Sequence, residues 1–255
     1  MIIDVNTYIG HWPFRRLRYN RAEDLVRRMD NKGIDNAIVS SLHGVFYKNA
    51  HASNKELSLA VRPFRGRLIP FATLNPTYPG WREDLQRCAQ DLGMRGLRLY
   101  PGYHGYAIGD EPFLELVKAA ADLGWPIQIP QRLVDRRQRH RWDLAEDITA
   151  AAYSALTALC PDAKWMILSS LGLDGRIFSP EASLLIDICR YDAVLRRSIQ
   201  GLIDSIGIEY LAFGTGMPFK VPEAALLKLE LLDLTPEDRE CIAWRNAAWM
   251  LDLET

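Results

Sequence analysis

The chain opens with Ile2-Ile3-Asp4-Val5-Asn6-Thr7-Tyr8-Ile9-Gly10-His11-Trp12-Pro13-Phe14-Arg15. Ile2, Ile3 and Val5 suit the interior of a buried strand, and Gly10 and Pro13 end the regular structure. The residues after the strand are polar and aromatic. This stretch therefore predicts a strand whose apolar part joins a core and whose following loop can build a site.

The same pattern recurs seven more times along the chain. Further apolar runs lie at residues 37–39, 68–74, 96–100, 126–129, 165–168, 183–189 and 210–213. Helical spacing is found at residues 22–29, 52–61, 81–92, 112–123, 144–159, 194–206, 223–232 and 236–251. The link between the sixth and seventh runs is too short for a full helix. Continuous apolar runs, rather than alternating ones, are typical of a parallel sheet that is covered on both faces.

Eight strands in 255 residues give a repeat of about 32 residues, close to the length of one strand-helix unit. We predict an α/β fold with a single (β/α)8 TIM barrel, one domain over residues 1–255. The alternative is an open doubly wound sheet. It is disfavoured because no Gly-x-Gly-x-x-Gly follows the first strand.

The charges of the chain are balanced, with 31 basic and 32 acidic residues and a formal net charge of -1. A duplex-binding surface normally needs a basic excess, so we expect no nucleic-acid partner. No apolar run reaches about 18 residues, and the start of the chain lacks the pattern of a signal peptide. The four cysteines lie far apart, outside zinc or redox spacing, and predict free thiols in a reducing cytoplasm.

The active site of such a barrel lies at the carboxyl ends of its strands. The side chains that the strand prediction brings there are mostly polar, with few carboxylates. They are Asn6, Tyr8, Ser41, His43, Asn75, Tyr100, Tyr103, His104, Gln128, Gln131, Ser169, Ser170, Arg190, Tyr191 and Thr215.

Four segments carry a resemblance to a known family. They are Ile3-Asp4 with Gly10 six residues later, Gly96-Leu97-Arg98-Leu99-Tyr100-Pro101, Leu168-Ser169-Ser170-Leu171-Gly172 and Phe213-Gly214-Thr215-Gly216-Met217-Pro218-Phe219. In this order they resemble the amidohydrolase-2 group of the amidohydrolase superfamily, which comprises metal-dependent barrel hydrolases and decarboxylases. The resemblance implies a TIM barrel and a hydrolase or lyase activity.

The metal-binding residues of that family are absent from the matching positions. The family's His-x-His is Asn6-Thr7-Tyr8 here, its fifth-strand histidine is missing from 128–131, its sixth-strand histidine is Ser169 or Ser170, and its aspartate is Gly216. A transition metal is bound by imidazole, thiolate or carboxylate groups. We therefore predict no metal ligands and no cofactor, although the family would use zinc.

His104 is the histidine for which we predict chemistry, because an imidazole titrates near neutrality and can transfer protons. We predict His104, Tyr103 and Asn6 as catalytic residues. One alternative is that His104 is a hydrogen-bonding loop residue among tyrosines. Another is a metal site of His43, His104 and a carboxylate, without family spacing.

The segment at residues 132–141 is strongly basic and follows the fifth strand. A guanidinium fork fits the two oxygens of a carboxylate or phosphate, so this segment and Arg15 predict an anionic ligand. The alternative is a solvated loop paired internally with Asp135 and Asp143, which we expect to be too few for its charge. The turn at residues 214–216 either binds an anion through backbone N–H groups or is a turn that glycine permits. The predicted substrate-binding residues are Tyr8, Arg15, Tyr100, Gln128, Gln131, Arg132, Arg137, Ser169 and Thr215.

The predicted function is that of an amidohydrolase-like hydrolase or lyase, which acts on a small carboxylated molecule without the family's metal. The alternative is a catalytically inactive barrel that binds a metabolite or a partner protein. We expect a small anionic molecule as the partner and no membrane contact. A homo-oligomer is compatible with the sequence.

Overall fold

Eight short strands alternate with helices in the computed structural model, which describes residues 1–179 and 181–253. The strands are β1 Ile3–Ile9, β2 Asn36–Ser41, β3 Leu68–Pro70, β4 Leu97–Arg98, β5 Ile127–Pro130, β6 Trp165–Leu168, β7 Leu184–Asp187 and β8 Leu211–Ala212. The helices are α1 Ala22–Asp30, α2 His51–Val61, α3 Trp81–Gln90, α4 Pro101–His104, α5 Glu111–Asp122, α6 Ala150–Leu159, α7 Ser198–Ile206, α8 Pro222–Leu231, α9 Pro236–Glu240 and α10 Asn246–Met250.

The strands are parallel and close into a ring. β1 to β3 pair in sequence order, and so do β4 to β8. A bridge between Ala72 and Leu97 joins β3 to β4, and a bridge between Thr7 and Met217 joins the end of β8 to β1. The chain is therefore a (β/α)8 barrel, as predicted, and the open-sheet alternative is wrong.

Two apolar layers hold the barrel together. The larger core lies between the ring and its helices, where for example Met29 of α1 belongs to the same cluster as Val39 of β2. A smaller core fills the barrel interior with Val5, Phe71 and Met166, and α10 packs against it. Arg95, at the start of β4, donates to the carbonyl of Leu251 just after α10. The amino end of the barrel is thus plugged, and the polar side chains gather at the other end.

The predicted helix at residues 144–159 begins later than expected. In the structure α6 begins at Ala150, and the hydroxyl of Thr149 caps it by accepting from the N–H of Ala152 at 3.1 Å. Residues 131–149 form a long loop, because ion pairs described below hold their side chains. The last predicted helix is interrupted by a π-helical turn at Cys241–Arg245. None of the described helices is long and apolar enough to cross a membrane.

Candidate functional site

The carboxyl ends of β1, β6 and β7 meet at the buried carboxylate of Asp187. Asn6 Nδ2 donates to Asp187 Oδ2 at 2.5 Å and to Ser169 Oγ at 3.0 Å. The backbone N–H of Ser169 donates to Asp187 Oδ1 at 2.9 Å. Burial raises the pKa of Asp187, because water no longer solvates the charged form. The carboxyl group is therefore biased toward holding a proton inside the barrel.

Ser169 has a backbone conformation that side chains rarely adopt, with φ at 50°. It is one of two serines, with Ser170, at which the resemblance places a family histidine. A non-glycine residue in the left-handed region is strained and persists only where its surroundings fix it. Here the hydrogen bonds with Asp187 and Asn6 fix the backbone conformation of Ser169. Ser169 is therefore an ordered part of the site.

Two lysines lie against the end of β7. Lys220 Nζ lies 3.3 Å from both the sulfur and the carbonyl oxygen of Cys189, and Lys228 Nζ lies 2.8 Å from the same oxygen. Burial raises the pKa of the Cys189 thiol to about 11, so it is protonated near neutral pH. Burial lowers the pKa of Lys228, and the charge of Lys220 acts in the same direction. This corner therefore holds an uncharged thiol and two amines within hydrogen-bond distance of one carbonyl oxygen.

A fully buried arginine, Arg98 of β4, lies across the barrel interior. Its Nε donates to Gln128 Oε1 at 2.6 Å, and its terminal nitrogens donate to the carbonyls of Thr7 and Val5 at 2.8 and 3.4 Å. The guanidinium carbon lies 4.4 Å from the centroid of the Tyr8 ring. All of these partners are uncharged. Among the described residues, no carboxylate lies within 4 Å of the Arg98 guanidinium nitrogens.

Several polar atoms near Arg98 are buried without a hydrogen-bond partner. They include the hydroxyls of Tyr8, Tyr100 and Thr73 and the amide oxygen of Asn6. Burial raises the pKa of Tyr100 to about 12 and that of Tyr8 well above its usual value, so both hydroxyls keep their protons. Buried polar groups are normally paired, and unpaired ones point to water or a ligand. This end of the barrel therefore offers both donors and acceptors to a small polar molecule.

Aromatic side chains cover this end of the barrel. Trp12 packs edge-on against Phe219 with the ring centroids 5.0 Å apart, and Phe219 lies 5.7 Å from Tyr8 in the same way. Phe14 and Tyr103 join the same cluster. Beside it opens a cavity of about 1050 Å³ whose lining includes Trp12 and Phe14. The aromatic side chains therefore lie between this cavity and the interior of the barrel end.

His104 and Tyr103 lie on α4, after β4. His104 Nε2 donates to the carbonyl of Gly44, after β2, at 2.9 Å, whereas its buried Nδ1 has no partner. Burial lowers the pKa of His104, so the imidazole is neutral near pH 7. Burial also raises the pKa of Tyr103. By strand order, both side chains lie on the opposite side of the ring from Asp187, and the structure does not group them with Asn6.

Two of the predicted binding residues are engaged by the protein itself. The hydroxyl of Thr215 donates to Asp4 Oδ2 at 2.6 Å, and its N–H donates to Asp4 Oδ1 at 3.0 Å. Gln131 accepts from the N–H of Leu171 at 2.9 Å, which ties two loops together. The N–H of Gly216 donates to the carbonyl of Asn6, so the turn interpretation of residues 214–216 agrees with the structure.

The basic loop, residues 132–141, is paired internally. Asp147 binds Arg132, Arg136 and Arg139, the last two at 2.9 and 3.0 Å. Arg137 is exposed and binds Asp135 at 3.0 Å. Asp135 and Asp143 are not the only acidic partners of this loop. Asp147, which lies after it in the sequence, pairs with three of its arginines.

Arg15 also has partners within the protein. Its guanidinium donates to Gln138 Oε1 at 3.0 Å and to the carbonyl of Phe219 at 3.4 Å. It therefore ties the loop after β1 to the basic loop and to the loop after β8. Arg15 also lines the cavity beside the aromatic cluster.

The central ionisable residues of this end are not among the predicted site residues. They are Asp4, Arg98, Asp187, Cys189 and Lys220. Arg98 and Asp187 each stand inside an apolar strand run, which is a signal that could have identified them, because a charge in a buried strand needs a partner. Lys220 carries no comparable signal, since a lysine in a loop is normally solvated.

The donor set does not fit the metal that the resemblance implies. The matching positions hold Asn6, Tyr8, Ser169 and Gly216, which supply amide, phenol and hydroxyl groups or no side chain at all. A Cβ at Gly216 would lie 3.1 Å from Cys189 Sγ and 3.4 Å from Lys220 Cδ, so an acidic side chain there is crowded. Among residues 1–179 and 181–253, no three His, Cys, Asp or Glu side chains form a metal-binding group.

Comparison with known proteins completes the description of the site. A family model described as Amidohydrolase matches residues 10–167, more than half of the chain. A search of the curated proteins finds no match.

Three solved structures illustrate the similarity in fold. The IDCase of Metarhizium anisopliae in apo form has a TM-score of 0.77 and 18% identity, covering 100% of this chain and 97% of its own. The 2,6-dihydroxybenzoate decarboxylase from Rhizobium has a TM-score of 0.73 and 17% identity, covering 98% of both chains. The dihydroxybenzoic acid decarboxylase of Polaromonas, with bound manganese and an inhibitor, has a TM-score of 0.72 and 16% identity, covering 98% of this chain and 96% of its own. At these identities the similarity shows the fold alone.

Proposed function

Because this chain belongs to the amidohydrolase family, we propose that it is a hydrolase or lyase that binds the carboxylate of a small molecule at Arg98. The observation that carries the proposal is the burial of the Arg98 guanidinium among uncharged partners only. The names of two similar structures, decarboxylases of dihydroxybenzoates, support a carboxylated substrate.

The energetics of Arg98 favour an anionic ligand. Removing a charged group from water costs several kcal/mol, and neutral acceptors offset only part of that cost. Its three hydrogen bonds use three of the five N–H groups of a guanidinium. A carboxylate can accept two parallel N–H bonds from the fork, and the unpaired hydroxyls of Tyr8 and Tyr100 can donate to the same anion. Binding such an anion neutralises the charge at the place where it is buried.

Proton transfer in this proposal belongs to buried groups of the barrel end. The unpaired Nδ1 of His104 can accept a proton, because its neutral form is favoured and Nε2 already donates to Gly44. Asp187 can give or take a proton on the other side, where Asn6 holds its carboxyl group. Tyr103 lies beside the entry and contacts Trp12. Under this proposal no step uses a divalent metal.

A thermal-shift experiment with matched ligands tests the proposal. We expect 2,6-dihydroxybenzoate or another small carboxylate to raise the unfolding midpoint, and resorcinol, which lacks only the carboxylate, to leave it unchanged. Arg98→Lys keeps the charge but loses the fork, and we expect at least a tenfold weaker binding. Arg82→Ala is the control, because that side chain is exposed on α3, away from the barrel end. Equal shifts by the neutral analogue, or an unchanged affinity in Arg98→Lys, would contradict the proposal.

Turnover separates this proposal from the catalytically inactive barrel. Carbon dioxide release, or consumption of the bound carboxylate, is measured for each ligand that raises the midpoint. A ligand that binds through Arg98 and is never converted would favour the inactive barrel.

A further inference from the structure

Lys220 and Lys228 share one acceptor, the carbonyl oxygen of Cys189, at 3.3 and 2.8 Å. Both amines are half-buried, and the described residues place no carboxylate in an ion pair with either of them. Two ammonium groups this close repel each other, and losing one proton relieves the repulsion. A neighbouring cation and partial desolvation are the two means by which proteins make a lysine nucleophilic.

The two amines differ in what else they contact. Lys228, on α8, donates to the carbonyls of Ile188 and Cys189 and so is held by the backbone. Lys220 follows β8 and reaches the sulfur of Cys189, which lies 3.7 Å from Ser169 Oγ. Ser169 is in turn bound by Asn6 in the barrel interior. Lys220 is thus the amine on the interior side, and Lys228 is its cationic neighbour.

The loop after β8 makes room for this lysine. Gly216 has a φ of 76°, and its absent side chain leaves the space that Lys220 Cδ and Cys189 Sγ occupy. The family carries its aspartate at this position. The barrel end has therefore exchanged an acidic group for an amine, and the chemistry available there changes from metal binding to addition to a carbonyl group.

We propose that Lys220 forms an imine with the carbonyl carbon of a small 3-oxo carboxylic acid, and that the chain decarboxylates this acid. This inference rests on the proposed function, because Arg98 is the group that would bind and orient the carboxylate. It adds a covalent step, a nucleophile and a substrate class.

The steps balance without an oxidant or reductant. The neutral Lys220 amine adds to the carbonyl carbon, and water leaves to give a protonated imine. The bond to the carboxylate carbon then breaks, carbon dioxide leaves, and the electron pair passes to the imine nitrogen as an enamine. A proton from solvent adds to the carbon that lost the carboxylate. Water finally hydrolyses the imine, which releases the ketone and restores the amine.

Two other ionisable groups lie at this corner. Cys189 Sγ lies 3.3 Å from Lys220 Nζ, and burial raises the pKa of its thiol to about 11, so it is uncharged near neutral pH. The carboxyl group of Asp187 accepts from the side chain of Asn6 and from the N–H of Ser169. Among the described residues, neither group forms an ion pair with Lys220.

Borohydride trapping of the full-length chain with acetoacetate tests the inference. We expect a peptide adduct on Lys220 with the mass of an isopropyl group, because decarboxylation precedes reduction of the imine. Lys220→Arg should lower trapping to background, and Lys118→Met, which changes an exposed lysine, should not alter it. Lys228→Met should lower the yield of the Lys220 adduct at neutral pH, since the neighbouring cation that favours an uncharged amine is gone.

The outcomes separate this inference from the function on which it rests. If acetoacetate raises the unfolding midpoint through Arg98 but no adduct forms on Lys220, the inference is overturned and the proposed function stands. An adduct that retains the carboxylate overturns the decarboxylation. If acetoacetate and the other carboxylates neither bind nor react, both proposals fail. An adduct yield that is unchanged in Lys228→Met overturns the role of the second lysine.

Discussion

Asp4 is a buried carboxylate on β1 that binds the loop after β8. It accepts from the N–H and the hydroxyl of Thr215 and from the N–H of Asn6 at 3.0 Å. Burial nevertheless raises its pKa from 3.8 to about 7, because desolvation outweighs these bonds. At intermediate pH the folded protein therefore binds a proton that the unfolded chain does not bind.

This difference predicts how stability depends on pH. A group whose folded pKa is raised favours folding below the unfolded value, and that advantage is lost as pH rises toward the folded value. We expect the free energy of unfolding to fall between pH 4 and pH 7, by an amount on the order of 4 kcal/mol at most. Asp4→Asn should flatten this slope in urea unfolding, and Asp122→Asn, an exposed carboxyl, should not. A slope that survives in Asp4→Asn would contradict the assignment.

The sequence predicts which residues lie at the barrel end better than it predicts which of them contact each other. Asn6, Tyr8, Gln128 and Ser169 were predicted at the barrel end because strand ends can be located by pattern. The contact of Asn6 with Asp187 joins residues 181 positions apart, and it depends on how the ring closes. No local sequence pattern predicts how the ring closes. The contacts of Asp187 and Lys220 with the rest of the site therefore could not be predicted from the sequence.

The basic loop after β5 is the element in which the structure differs most from the prediction. Its arginines were predicted to need an external anion, but the nearly buried side chain of Asp147 binds three of them. Asp147 lies within a segment of helical spacing, and the sequence pattern therefore placed it on α6. Ion pairing holds the chain in a loop until Thr149 begins the helix.

Asp147 is therefore expected to keep the loop ordered. Asp147→Asn removes the negative charge that the largely buried Arg132 and Arg139 share, which we expect to cost about 2 kcal/mol of local order. Trypsin cleaves after arginine, so nicking within residues 132–141 should rise roughly thirtyfold if cleavage follows the open population. The control is Glu146→Gln, since Glu146 is exposed and adjacent. Equal nicking of the two variants would show that Asp147 does not order the loop.

The barrel as a whole could be predicted because the same apolar pattern occurs eight times in the sequence. Eight apolar runs at regular spacing survive errors of a few residues at each end, and the structure places a strand in every run. The start of α6 and the interruption at Cys241–Arg245 could not be predicted, because tertiary contacts decide them. That residues 1–255 form one domain stays a prediction.

The charge at the barrel end also predicts the metal content of the purified protein. We expect less than stoichiometric zinc or manganese per chain, because Asn6, Tyr8 and Gly216 offer no suitable ligands. Elemental analysis after purification without chelator measures this. One tightly bound metal ion per chain, lost in Asn6→Ala, would contradict the prediction.

Arg98 joins the two arcs of the ring, because it belongs to β4 and donates to carbonyls of β1. The two arcs, β1 to β3 and β4 to β8, also meet at the Ala72–Leu97 and Thr7–Met217 bridges. A carboxylate that draws the guanidinium toward itself competes with the hydrogen bonds that span the ring. Ligand binding and the stability of the ring are therefore linked, and amide hydrogen exchange along β1 would report occupancy of the site at Arg98.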